Sequence, residues 1–166
     1  MFDIAGFPES DLKYVEHLIQ IFIDADADMR QLSFEKCEDI NNPARTALFK
    51  FIPDFEGVLF RENPLSTESM LKISSCLWCD KTKLKWMILQ ECRLDDDMVK
   101  YVIPHLPYIE EVMLSLNPAV TIKSFKMLFD HVMRMKGCVP LKKLYVREQK
   151  KQVKELFKPY PAIEVR

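Results

Sequence analysis

Glycine is scarce in this chain, with three residues in 166. A phosphate-cradling loop needs several glycines close together, so nucleotide-binding loops of that kind have little material here. Histidine is equally rare. His17, His105 and His131 stand far apart and share no motif with Ser, Cys or Asp, so no catalytic residue is assigned and no enzyme is expected. No apolar stretch approaches the ~20 residues that cross a bilayer, so no membrane span is expected. The opening Met1-Phe2-Asp3-Ile4 has neither a basic segment nor a long apolar run, so no secretory signal is expected. Net charge is −1, which exerts no global pull on nucleic acid or membrane. Nucleic acid is not an expected partner, because the basic balance and interleaved aromatics of such binders are missing.

Cysteine is present but not in a disulfide pattern. Five residues is an odd number, and a reducing compartment, cytosol or nucleus, is the expected location. Cys76-Leu77-Trp78-Cys79 has the C-x-x-C form of a redox pair or half a zinc site. No second C-x-x-C or H-x-x-H accompanies it, so a partly buried pair of helical thiols is the simpler reading. Cys138 lies alone. Asp95, Asp96 and Asp97 read as acids at a helix start, favoured there by the helix dipole, and not as metal ligands. No metal, cofactor or small-molecule substrate is expected.

Hydrophobic residues make up 48% of the chain and charged residues 30%, the balance of one globular domain. The charge is unevenly spread. Residues 1–39 carry ten acids and three bases, whereas residues 141–166 carry eight bases and three acids. Soluble end caps account for this; oppositely charged docking ends are the alternative.

An internal repeat organises the rest. Its template is apolar at positions 1, 4 and 6, Asn or Cys at 9, and apolar near 11 or 12. Leu84, Met87, Leu89, Cys92 and Leu94 fit throughout. The copy before is Phe55, Val58, Phe60, Asn63 and Leu65; the copy after is Ile109, Val112, Leu114, Asn117 and Val120. An earlier copy runs Met29, Leu32, Phe34, Cys37 and Ile40. A last one runs Leu141, Leu144 and Val146, with Gln149 at the ninth place. Starts at 29, 55, 84, 109 and 141 give spacings of 26, 29, 25 and 32 residues, enough for a strand and a helix in each. Positions 4 and 6 point inward on the strand. A polar or thiol side chain at position 9 can satisfy backbone groups where the chain leaves the strand.

Helix starts follow each strand: Asn42-Pro43, Ser66 and Thr67, Asp95 to Asp97, and Thr121. Prolines 53, 104, 107, 140 and 159 fall where helices should stop. Residues 1–28 form an N-terminal cap. Its helix over 9–25 is amphipathic through Leu12, Val15, Leu18, Ile19 and Phe22. Residues 29–149 hold about five repeats, and 150–166 a C-terminal cap. Its helix runs through Val153, Leu156 and Phe157, and a short sixth strand spans 162–165.

This pattern resembles the ribonuclease-inhibitor class of leucine-rich repeats, which also occurs in tropomodulin-like actin cappers and in many adaptors and receptors. The resemblance covers residues 29–149. It implies an α/β solenoid, with a curved parallel sheet on the concave face and helices on the convex face. Such a scaffold carries many unrelated partners and does not itself specify one.

The template also states what the sheet presents outward. Position 5 reads Ser33, Leu59, Ile88, Met113 and Tyr145, apolar in four copies of five. Strands stack about 4.8 Å apart, so equivalent positions form a row. Trp86 at position 3 and Leu116 at position 8 widen it, and Arg61, Glu91 and Arg147 stand among its charged border. An apolar row with aromatic anchors and a charged rim suits a protein partner. Sheet propensity alone also favours such residues. The expected function is a non-catalytic adaptor or scaffold binding a protein on the concave sheet. Assembly through the charged ends is the alternative, and a thiol enzyme at Cys76 and Cys79 a distant third.

Overall fold

The computed structural model describes residues 1–37, 39–78, 82–135 and 139–166. Seven parallel strands form one sheet in strict chain order: β1 (Phe2–Asp3), β2 (Gln31–Glu35), β3 (Gly57–Arg61), β4 (Trp86–Gln90), β5 (Glu111–Met113), β6 (Lys143–Tyr145) and β7 (Glu164–Val165). Parallel neighbours cannot be joined by a tight turn. Each crossover here carries a helix: α1 (Leu12–Asp24), α2 (Pro43–Thr46), α3 (Thr67–Leu77), α4 (Asp96–Val99), α5 (Ile122–Arg134) and α6 (Lys150–Phe157). Segments Ala47–Asp54 and Leu106–Tyr108 are tighter 3-10 turns. The chain is therefore α/β with an all-parallel sheet. No helix among the described residues is long and apolar enough to cross a membrane.

Strand register follows the template. Leu32, Val58, Met87, Val112 and Leu144 pair in a single line across β2 to β6. These position-4 side chains and the position-6 side chains Phe34, Phe60, Leu89, Leu114 and Val146 are all buried. The helical layer closes on them. Phe49, in the 3-10 segment, sits edge-on to both Phe34 and Phe60, with ring centroids 5.4 and 5.3 Å away. Phe34 and Phe60 in turn stack at 4.9 Å.

Position 9 links each copy to the one before. Asn63 donates to the Phe34 carbonyl and accepts from the Cys37 N–H at 2.9 Å. Cys92 repeats the first contact with a thiol, its Sγ donating to the Phe60 carbonyl at 3.4 Å. Asn117 donates to the Leu89 carbonyl at 2.7 Å and accepts from the Cys92 and Leu94 N–H groups. Gln149 is one methylene longer and reaches the Val120 carbonyl instead, leaving its Oε1 buried without a partner among the described residues.

A second ladder was not foreseen. Asn41 Oδ1 accepts from Ser66 N and Ser69 Oγ, at 2.8 and 2.7 Å. One repeat pair later, Asp96 Oδ1 accepts from Thr121 N at 2.8 Å and from Ser124 Oγ. Each polar side chain thus holds the first turn of the next copy's helix. Burial alone would raise the Asp96 carboxyl, but hydrogen bonds from Ser124 and Thr121 outweigh it and hold it below the usual carboxylate range. The expected caps also form: Asn42, Ser66, Asp95 and Thr121 accept from Ala44, Ser69, Met98 and Lys123 N–H groups. Each such cap is worth about 1 kcal/mol.

Four expectations are corrected. Strand β1 precedes the N-terminal helix and forms the edge of the sheet, where only a covering helix was expected. Within α1 the buried residues are Leu12, Val15 and Ile19, while Leu18 and Phe22 are exposed. Pro53 lies inside a 3-10 segment, one residue before its end, and does not follow a helix. The helix after Asp95 has only four residues, and turns carry the chain onward through His105.

Candidate functional site

Trp86, Ile88, Met113 and Tyr145 come together on the sheet face opposite the buried position-4 and position-6 side chains. With Glu111 they line an open depression of about 360 Å³. The register explains the grouping: Ile88 pairs with Met113, and Met113 with Tyr145, so the three stand side by side on β4, β5 and β6. All three are half-buried, as is Trp86.

A glycine sets the position of Trp86. Gly57 is its register partner on β3, and a Cβ there would overlap the indole ring. The ring therefore lies across the Gly57 backbone in space that only glycine leaves open. Nothing in the repeat template requires a glycine at that position.

The row at position 5 is not uniform. Ser33 and Leu59 are buried, at 3% and 7% exposure, although they face away from the helices. On the same face of β3, Leu59 stands between Gly57, which lies under Trp86, and Arg61, which is held to Glu35 at 3.3 Å. Leu59 therefore supports the floor and offers little contact area. The accessible apolar surface begins at Ile88 and runs toward Tyr145.

Charge surrounds that surface in fixed pairs. Glu111 takes Lys143 at 2.5 Å on one oxygen and the Tyr145 hydroxyl at 3.4 Å on the other. The Lys143 ammonium is pushed up by its hydrogen bond to Glu111. Arg166 stands over the Tyr145 ring, 5.8 Å from its centroid.

Leu116, Glu91 and Arg147 are placed elsewhere. Arg147 is exposed in the bend after β6. Lys36, Glu62, Glu91 and Leu116, all at position 8, adopt left-handed backbone with φ between 51° and 61°. Leu116 and Glu91 line a separate depression of about 490 Å³ at the strand ends, with Pro64, Arg93 and Pro118. That depression shares no residue with the first.

The thiols are poor nucleophiles where the structure describes them. Burial pushes Cys92 up to about 12 and Cys37 up to about 11, and it raises Cys76 as well. A reactive thiol needs the opposite shift. Cys79 and Cys138 lie outside the described residues. Asp95, Asp96 and Asp97 diverge: to the Met98 N–H, to Thr121 and Ser124, and to Lys100. Among the described residues no group of three or more His, Cys, Asp or Glu stands close enough to hold a metal ion.

His105 is buried against the helical layer, its Nε2 3.2 Å from Ser74 Oγ and its ring edge-on to Trp78 at 4.7 Å. Burial lowers its pKa. The unfolded chain, near 6.5, therefore takes up the proton first as pH falls. Stability should decline below about pH 6.5 and level off below the folded value. His105→Gln should flatten that slope in urea midpoints measured from pH 7.5 to pH 5.5. An unchanged slope would assign the pH dependence to other groups.

Neither the protein-family models nor the curated proteins compared with this chain give a match.

Proposed function

We propose that the chain is a non-catalytic protein-interaction module, an adaptor or scaffold built as a leucine-rich-repeat solenoid of the ribonuclease-inhibitor type. The in-register stacking of five copies and the position-9 ladder support the architectural part. The observation that carries the functional part is the depression formed by Trp86, Ile88, Met113 and Tyr145 on a sheet face that no helix covers among the described residues. These side chains supply adaptable apolar contact, and the Glu111, Lys143 and Arg166 set supplies a polar rim. The preferred partner inserts one or two large apolar side chains into the depression and meets mixed charge around it.

Ile88→Asp with Met113→Asp tests this. Both residues are half-buried on the open face, so the double variant should retain cooperative unfolding while capture of the partner falls at least about a hundredfold. Full capture by the folded double variant would overturn the reading.

The end-docking alternative has one observation in its favour: Lys150, Lys151, Lys154 and Lys158 are all exposed on or just after α6. It requires the reverse outcome, with association lost on reversing those lysines and retained in the sheet-face variant.

A further inference from the structure

The N-terminal helix is apolar on two sides. Leu12, Val15 and Ile19 are buried beneath it, which satisfies its role in the core. A second set points to solvent, Tyr14 at 76% exposure, Leu18 at 45% and Ile21 at 49%; Phe22, at 39%, borders it with its ring edge-on to Phe2 at 5.6 Å. Tyr14, Leu18, Ile21 and the exposed Ala25 are spaced four, three and four residues apart, the seam spacing of one helix lying along another. The seam runs about 18 Å, or three turns. Apolar side chains scattered singly on a surface need no explanation; a registered seam of this length does.

Charge decides what covers it. Glu9 and Asp11 stand just before the helix, Asp24 ends it and Asp26 follows, all exposed. Among the described residues no cation pairs with Glu9, Asp11 or Asp24, and Asp26 meets Lys83 at 3.7 Å. The exposed base on the helix itself is Lys13. A second copy laid antiparallel on this seam would bring Glu9 and Asp11 of one chain against Asp24 and Asp26 of the other, at both ends. Like charges placed so cost several kcal/mol at an interface. An anionic membrane surface meets the same repulsion.

We propose that the outer face of α1 docks a basic amphipathic helix of another polypeptide, its apolar stripe on Tyr14, Leu18, Ile21 and Phe22 and its lysines or arginines on the flanking acids. This surface lies on the helix between the first two strands. It is independent of the depression around Met113, so each can fail without the other.

The probe is a fluorescein-labelled amphipathic peptide of roughly 18 residues, long enough to hold a helix, with leucine on one face and lysine on the other. A matched peptide with glutamate for lysine is the counter-probe. Anisotropy titrations use the full chain. The lysine peptide should bind and the glutamate peptide should not. Affinity should fall at least about tenfold in Leu18→Ser with Ile21→Ser, and also in Asp24→Lys, while Ile88→Asp with Met113→Asp leaves it unchanged. Circular dichroism melts confirm that each variant is folded; Asp24→Lys alters an exposed side chain and keeps the test decisive if the double serine variant unfolds. Equal binding of both peptides, no binding of either, or binding of the lysine peptide that ignores all α1 variants would overturn the proposal. So would sedimentation showing a dimer that Leu18→Ser with Ile21→Ser dissolves, since a second copy would then be the occupant.

Discussion

Asn117→Ala should cost about 3–4 kcal/mol of stability, the largest loss expected from any single polar side chain in this fold. Its amide accepts from Cys92 and Leu94 N–H groups and donates to the Leu89, Leu114 and Ser115 carbonyls, all from a site with 1% exposure. Alanine removes the acceptor of the Cys92 and Leu94 N–H groups and the donor to the Leu89 and Leu114 carbonyls, whereas the Ser115 carbonyl keeps the Glu91 N–H. A buried group left without its hydrogen bond costs about 1–3 kcal/mol, and partial relaxation keeps the total below the simple sum. Asn63→Ala should cost less, about 2 kcal/mol, because among the described residues the Asn63 side chain joins only the Cys37 N–H and the Phe34 carbonyl. Urea denaturation of the two variants measures the order directly. A loss below about 1 kcal/mol for Asn117→Ala would mean that the ladder contributes little to joining the copies.

The second large effect concerns Gly57. Replacing it by alanine places a methyl group where the Trp86 indole lies, so the ring must leave the face of β3. Overpacking of this kind costs about 1–3 kcal/mol. In a Trp86→Ala background the same change should be neutral or stabilising by up to about 1 kcal/mol, because alanine has less backbone entropy to lose than glycine. The cycle should therefore give a coupling of about 1–3 kcal/mol. Spectroscopy gives an independent readout. The chain has two tryptophans, and Trp78→Phe leaves Trp86 alone. Emission of that variant should shift to the red on Gly57→Ala as the indole gains water. An unshifted spectrum would show that the indole does not need the space above Gly57. The same substitution should weaken partner binding, since it removes one wall of the depression.

What was legible in the sequence follows from which residues repeat. Position 9 was readable because Asn and Cys recur there, and only a polar or thiol group satisfies the carbonyl at that bend. The four helix caps were readable for the same reason: Ser, Thr, Asn and Asp announce themselves ahead of an apolar run. Position 13 was not, because Asn41 and Asp96 differ in type and their partners lie a full repeat away. The left-handed backbone at position 8 was hidden as well. Lys36, Glu62, Glu91 and Leu116 share no chemistry, and the conformation comes from the turn. Periodicity could not divide α1 correctly, because both of its faces are apolar and either would have served as the buried one. Strand β1, two residues long, carries no pattern at all.

The candidate site was half legible for a related reason. Reading position 5 as one continuous row treated every strand alike. Neighbouring positions differ between strands: Gly57 admits Trp86 and Arg61 pairs with Glu35 on either side of Leu59, which is buried, whereas Ile88 and Met113 are half-buried. Such differences arise between strands and leave no trace in the template of a single copy.

The most direct test is a photo-crosslink. A benzophenone amino acid at Met113 sits on the floor of the open sheet face. The same group at Met133, exposed on α5, reports the opposite side of the molecule. Illuminated in the presence of captured partner, the Met113 position should form a covalent adduct and the Met133 position should not. An adduct from Met133 with none from Met113 would place the partner on the helices and contradict the assignment of the sheet face.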